Sequence, residues 1–348
     1  EALAWASNLD WGFEKHPPLS AIFPEIFYQI FGRQDWAYYL LSQIFIVFSF
    51  IVIFKLAKEF LKNEIHALLS VLLLEGIYFY NFTTPEFNVN VCQIPFWTLT
   101  VYYFWQCLKT DKIKNWILIG LFAALGVLSK YLFIYLLFGI VLFFIFNFKK
   151  NKKFNYKCLI PIIVFLLVLT PHFIWLIDNE FKTVFYGLNR TSVADSNFLS
   201  HLLHPLKFIL KQIVILIPFF VLLSLIISKF KFKFKFNDEK LVYLMSITFL
   251  PILFMLLTSL ILGANIRTMW MTPFYLFFGL LFIYIFASKI NLNYLKKFII
   301  TLLFIFILSP TAYLYVSLSK DNKRTDFQGK EIARLVQTRW DKNFTNKI

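Results

Sequence analysis

Long apolar windows recur along the whole chain, and this recurrence limits what the sequence can fold into. Ten are read, running approximately Ala37 to Phe54, Ile65 to Tyr80, Val89 to Leu108, Asn115 to Ser129, Tyr131 to Phe148, Cys158 to Ile177, Gln212 to Ser228, Leu241 to Ile266, Thr268 to Ser288 and Phe298 to Ser319. Most contain 17–26 residues, which suits helices rising about 1.5 Å per residue across a hydrocarbon core of about 30 Å. The second and fourth are short, and their ends are poorly marked. A membrane β-barrel would instead alternate apolar and polar residues over segments of about ten, and the uninterrupted runs contradict that pattern. With 59% hydrophobic and only 16% charged residues, the chain has too little polar surface to cover a water-soluble globule of its size. The expected fold is an all-α polytopic membrane bundle of about ten transmembrane helices.

The net charge of +16 would suit nucleic acid, but its distribution excludes that partner. Alternate connections hold Lys55, Lys58 and Lys62; Lys109, Lys112 and Lys114; Lys149, Lys150, Lys152, Lys153 and Lys157; Lys229, Lys231, Lys233, Lys235 and Lys240; and Lys289, Lys296 and Lys297. By the positive-inside rule these connections are cytoplasmic, and a basic rim facing solvent and lipid headgroups accounts for them. All six Arg fall on the other, outer side: Arg33, Arg190, Arg267, Arg324, Arg334 and Arg339. Guanidinium groups grip phosphate or carboxylate at two points, which makes the outer face the place to look for chemistry.

The expected organisation is an outer loop at 1–36 with interfacial helices, a bundle at 37–319, and from 320 to 348 the start of a truncated outer region. Lys330 to Trp340 is amphipathic, with Ile332, Leu335 and Val336 apolar. Glu1 opens inside a polar, aromatic-rich stretch, so an earlier helix is expected upstream. His172 to Lys211 is longer than a plain connection requires and is a second candidate for function. Cys92, Cys107 and Cys158 show no metal-binding or disulfide spacing and are read as core residues.

The segment EALAWASNLDWGFEKHPPL, Glu1 to Leu19, resembles the first extracytoplasmic loop of the lipid-linked-sugar glycosyltransferases of the GT-C superfamily, family 39, related to the protein O-mannosyltransferases and the lipid A aminoarabinose transferases. Glu1, Ala2, Leu3, Ala4 and Trp5 match its first part, and Gly12, Lys15, His16, Pro17, Pro18 and Leu19 its second, with Phe13 where Tyr is usual. Glu86-Phe87-Asn88-Val89-Asn90 followed by Pro95-Phe96-Trp97, then Leu128-Ser129-Lys130-Tyr131, then Gly263 through Arg267 with Met269-Trp270 and Pro273, resemble further motifs of that family. Asp326-Phe327, Gly329-Lys330 and Trp340 resemble the start of its C-terminal region only weakly.

The resemblance implies a GT-C bundle in a bacterial inner membrane, with an active site facing the periplasm. The implied reaction moves a sugar from a polyprenyl (undecaprenyl) phosphate to lipid A, core oligosaccharide or another envelope acceptor. The family's main catalytic carboxylate lies three positions before Glu1 and hence outside this sequence, leaving Glu1 as the catalytic candidate here. A phosphate leaving group calls for cations, and Lys15, His16, Lys130 and Arg267 are the candidates for it. The rival roles are a snorkelling Lys15, a structural His16 and a headgroup anchor at Arg267. Trp5, Asn88, Asn90, His172, Asp178 and Trp270 are candidates for sugar or acceptor contact, although Asn before a helix often serves as a cap and His172 and Asp178 also suit a helix end. Glu75, inside the second window, is a secondary candidate.

No cofactor is indicated beyond the lipid-linked sugar as co-substrate, and metal dependence stays open, since a carboxylate pair completed upstream of Glu1 would suit a divalent ion. The expected partners are membrane lipid, the donor and a glycan or lipid acceptor. Two other classes stay open: a transporter or flippase of lipid-linked sugars, which commonly shows internal repeats not seen here, and a polysaccharide polymerase or ligase of another family.

Overall fold

The computed structural model describes residues 2–32, 34–151, 156–191, 193, 197–231, 237–319 and 328–344, with backbone alone at 147–151. Expectations resting on Glu1, Arg33, Lys152, Lys153, Lys233, Lys235, Arg324, Asp326 and Phe327 lie outside the described residues. The chain divides into two units, 1–306 and 307–348.

In the first unit the chain opens with α1 (Ala2–Ala6) and α2 (Leu19–Phe31), followed by the long α3 (Asp35–Phe60). Asp35 in the first turn of α3 and Lys58 in the last complement the helix dipole. The second apolar window is not one helix. It folds as α4 (Glu64–Leu72), a 3₁₀ turn at Leu73–Gly76 and α5 (Tyr78–Asn81). The third opens with α6 (Val89–Cys92), capped by the Asn88 side chain, and continues as α7 (Ile94–Thr110). Then come α8 (Ile113–Ser129), α9 (Ile134–Asn151), α10 (Leu159–Asp178) and α11 (Lys182–Arg190).

The helix α12 (Phe198–Ile226) starts about four turns before the apolar window it contains. A capping box between Asn197 and Ser200 starts it there. Its first half carries His201, His204, Lys207 and Lys211, so hydropathy alone reads that half as loop. The last elements of this unit are α13 (Glu239–Leu262), a 3₁₀ segment at Thr268–Tyr275, α14 (Phe278–Phe286) and α15 (Leu295–Ser319), which runs on into the second unit. The 3₁₀ segment and α14 are bent by 48° to each other, next to Pro273.

Among the described residues there is no strand, and only an isolated bridge joins Ile227 to Ile290. Among the described residues five helices are long and apolar enough to cross a membrane, or six if the bent pair counts as one span. The other windows are shorter or broken helices, so ten crossings remain a reading of the sequence. The chain is thus an all-α membrane protein.

The core is aromatic: Trp97, Tyr243, Tyr275, Phe79 and Phe87 are all fully buried. α7 packs on α8, α8 on α10, α9 on α13 and α4 on α14. The last contact depends on a glycine, because a Cβ on Gly279 would lie 1.8 Å from the Ser70 carbonyl oxygen. The second unit contains α16 (Gly329–Asn343), whose Ile332, Leu335 and Val336 are all exposed.

Candidate functional site

Lys130 ends α8, its backbone N–H bonded to the Gly126 carbonyl at 3.0 Å. The next three residues turn the chain through a 3₁₀ step into α9. Lys130 therefore sits at a corner between two apolar helices and is only 6% exposed. Its Nζ donates to Oδ1 of Asn90, itself 6% exposed, and lies 5.3 Å from the centre of the Trp270 ring. Asn90 stands in the short α6, which the Asn88 side chain fixes by accepting from the N–H groups of Asn90 and Val91. Beneath this corner the Cys92 thiol donates to the Ser129 hydroxyl at 3.3 Å. Among the described residues no carboxylate lies within ion-pair distance of Lys130. Its Nζ meets an amide oxygen and an indole face.

A second line of contacts joins this corner to the amino-terminal segment. Tyr131, next to Lys130, pairs its hydroxyl with His172 Nε2 at 2.8 Å, and His172 Nδ1 faces the Trp11 carbonyl at 2.5 Å. A carbonyl only accepts, so Nδ1 carries the proton, and Nε2 of the neutral ring accepts from Tyr131. Close by, the indole N–H of Trp175 donates to Asp10 at 2.6 Å, and Thr183 donates to the Phe13 carbonyl at 2.8 Å. Gly12 is needed in this seam, because a Cβ there would come within 2.4 Å of the Trp175 ring.

Beyond the seam, α11 brings Tyr186 to the motif residues. Lys15 Nζ lies 5.9 Å from the Tyr186 ring centre, Arg190 lies 5.8 Å from it, and His16 meets it edge-on at 6.3 Å. Trp5 stacks on Phe13 at 5.3 Å and meets His16 at 5.9 Å. Arg267 is exposed and starts the turn in which the Trp270 N–H bonds back to its carbonyl at 3.0 Å. The loop before it is held by Asn265 N–H on the Thr191 carbonyl and by His204 on the Gly263 carbonyl.

The fold thus brings Trp5, Lys15, His16, Asn90, Lys130, His172 and Trp270 to one end of the bundle, with Arg267 one turn from Trp270. Three candidates stand apart from a direct ligand role. Both ring nitrogens of His172 are engaged within the protein, and the side-chain oxygen of Asn88 serves as a helix cap. Asp178 is exposed at the end of α10, and none of these contacts includes it. Glu75 lies in the 3₁₀ break, its backbone carbonyl accepting from Asn81 at 2.5 Å. Asp10 and Thr183, which fix the first segment, had no sequence signal beyond lying in the two long outer stretches. Among the described residues no group of three or more His, Cys, Asp or Glu is placed to hold a metal ion.

Residues 15–175 match the family model described as dolichyl-phosphate-mannose-protein mannosyltransferase. The matched region contains Lys15, His16, Asn90, Lys130 and His172, while Arg267 and Trp270 lie beyond it. The match spans 161 of the 348 residues and is a likeness to that mannosyltransferase family over this part of the chain. No curated protein and no solved structure matches the chain.

Proposed function

We propose that this protein is a glycosyltransferase that moves a sugar from a polyprenyl monophosphate carrier, undecaprenyl phosphate in a bacterial inner membrane, to an envelope glycan or lipid at the periplasmic face. The observation that carries this reading is Lys130, a lysine buried, among the described residues, without a carboxylate partner at the end of the bundle where Lys15 and His16 also lie. A buried cation without a counter-charge is costly, and an anionic ligand relieves that cost. A phosphate held there has an indole and an amide behind the cation and the motif cations near by.

In the proposed reaction the acceptor hydroxyl oxygen bonds to the anomeric carbon as the bond from that carbon to the phosphate oxygen breaks. The polyprenyl phosphate leaves with the electron pair, and the hydroxyl proton passes to a carboxylate, for which Glu1 is the sequence candidate. Lys130, Lys15 and Arg267 stabilise the charge developing on the leaving phosphate, and Asn90 orients Lys130. His172 positions rather than contacts substrate: it ties the Trp11 segment to the Lys130 corner through Tyr131.

Full-length protein in membranes is expected to consume a radiolabelled undecaprenyl-phosphate sugar, and Lys15→Ala and Arg267→Ala to weaken donor affinity strongly. Wild-type turnover and donor affinity in both variants would refute the phosphate assignment. A carrier of lipid-linked sugars is the second reading, because helix breaks at Leu73–Gly76 and Thr268–Tyr275 are a form that transporters use. Donor hydrolysis or transfer in detergent solution, where no gradient or second compartment exists, separates the two.

A further inference from the structure

Asn90, Gln93 and Trp97 fall at helical spacing on one stripe that runs from α6 into α7. The first of them holds Lys130, whose Nζ also lies 5.3 Å from the Trp270 ring centre. Two turns on, the Trp97 ring lies 5.4 Å from Phe133 and 5.0 Å from Phe274. The same two segments, 130–133 and 270–274, therefore flank the stripe at both levels, and Gln93 comes between the two levels. It is fully buried.

An amide enclosed in this way is unfavourable unless it finds partners inside the protein. Elsewhere in the bundle buried polar side chains find a backbone carbonyl, as Ser42 does at Thr84 and Tyr243 at Val101, both at 2.6 Å. The buried Gln212 accepts from the Tyr275 hydroxyl at 2.8 Å. Among the described residues Gln93 alone has two side-chain polar atoms, Nε2 and Oε1, buried without a hydrogen-bond partner. Its neighbour on the stripe, Asn90, is another amide, one turn away with about 5–6 Å between Cβ atoms. Two amides set head to tail match donor to acceptor twice. In this structure the Asn90 oxygen is turned to Lys130 instead.

We infer that Gln93 is a positioning residue for donor binding: when a phosphate draws the Lys130 ammonium toward itself, the released Asn90 amide pairs with Gln93. The inference rests on the glycosyltransferase reading above and names a further residue that acts on its donor side. Asn90 then has a partner in both conditions, Lys130 before the donor binds and Gln93 afterwards. The amide pair offsets part of the loss of the Asn90–Lys130 contact, so Gln93 strengthens donor affinity without touching the donor. In the ligand-free fold its amide adds no stability, which sets it apart from a structural core residue.

The test is a double-mutant cycle on the full chain in lipid nanodiscs, read by equilibrium binding of decaprenyl monophosphate and by the ligand-free thermal midpoint. Gln93→Met nearly keeps the side-chain volume and removes the amide. It is expected to lower decaprenyl phosphate affinity about fivefold, the effect of one neutral hydrogen bond, while the midpoint holds or rises. In an Asn90→Ala background the same substitution should leave affinity unchanged, because the partner amide is gone. Wild-type affinity in Gln93→Met, an equal loss in both backgrounds, or a lowered midpoint overturns the inference, the last by making Gln93 structural. Lys130→Met tests the reading beneath it: if that variant binds decaprenyl phosphate as the wild type does, the donor assignment falls and the inference with it. If Lys130→Met loses binding while Gln93→Met keeps it, the donor assignment stands and only the role of Gln93 falls.

Discussion

The two ends of the bundle treat lysine in opposite ways. At the lysine-rich end, Glu59 of α3 accepts from the Trp105 indole at 3.1 Å, from the Gln106 amide, and from Lys109 Nζ at 3.3 Å. Lys240 reaches across from α13 to the Glu59 carbonyl at 2.6 Å, and Asp238 accepts from Tyr284 of α14 at 2.9 Å. Cation, carboxylate and neutral donors satisfy one another there, and the result is a clamp on α3, α7, α13 and α14. At the opposite end, some 25 Å away along α8 by its 17 residues, Lys130 is more deeply buried and has no carboxylate partner among the described residues. Lys109 and Lys240 meet carboxylate and carbonyl oxygens of Glu59, whereas Lys130 meets an amide oxygen and an indole face.

The sharpest way to break this contrast is Lys130→Met. Removing a charge-assisted contact worth about 1.5–3 kcal/mol predicts a loss of donor affinity of roughly 10–100-fold. The thermal midpoint should hold or rise, since an uncompensated buried charge goes with it. A fall in the midpoint with donor affinity intact would make Lys130 structural.

Glu59→Ala is the mirror experiment. It strands the Trp105, Gln106 and Lys109 donors, at a cost of about 1–3 kcal/mol, and should lower the midpoint while donor and acceptor KM stay at wild-type values. A selective loss of donor affinity would erase the distinction between the ends.

Between these stands His172→Ala, which leaves the Tyr131 hydroxyl and the Trp11 carbonyl without their partner at about 1 kcal/mol each. Its signature should be a fall in kcat larger than the change in donor KM, with partial rescue in His172→Gln. Equal losses in both parameters would place the ring on the substrate instead.

The smallest effect belongs to the exposed pair of Lys58 and Glu64 at 2.5 Å. The hydrogen bond from Lys58 holds the Glu64 carboxyl below its ordinary range. Any stability it adds is therefore present at neutral pH and fades as pH falls through that lowered value. Lys58→Ala should leave the neutral-pH midpoint within error, because solvent-exposed pairs contribute little. A clear drop would mean that the lysine-rich end depends on its surface charges as well as on Glu59.

Much of the architecture was legible because hydropathy is a local property. Each apolar window falls mostly on helix, although the second and ninth are broken and the eighth runs past its helix end, and the motif residues Lys15, His16, Asn90, Lys130 and Trp270 gather at one end. What escaped was governed by contacts that one window cannot carry. The break at Leu73–Gly76 contains no proline, and its Glu75 and Gly76 are too few to interrupt the apolar window around them. The first half of α12 is too polar to register, although Asn197 and Ser200 supplied a capping signal. The double engagement of His172 and the cap role of Asn88 depend on which atoms their side chains meet.

By itself, then, the sequence determined the solvent: runs of this length and apolarity are stable only as helices in a bilayer, and lysine placement sorts their ends. Tertiary structure decided that Lys130 meets Asn90 and Trp270, which histidine is a strut and where a cavity lies beside α1. Those outcomes depend on partners 40 residues apart for Lys130 and Asn90 and 161 apart for Trp11 and His172. Such pairings arise from how helices pack, because an amphipathic pattern records only that a face is buried and not which side chain it will meet there.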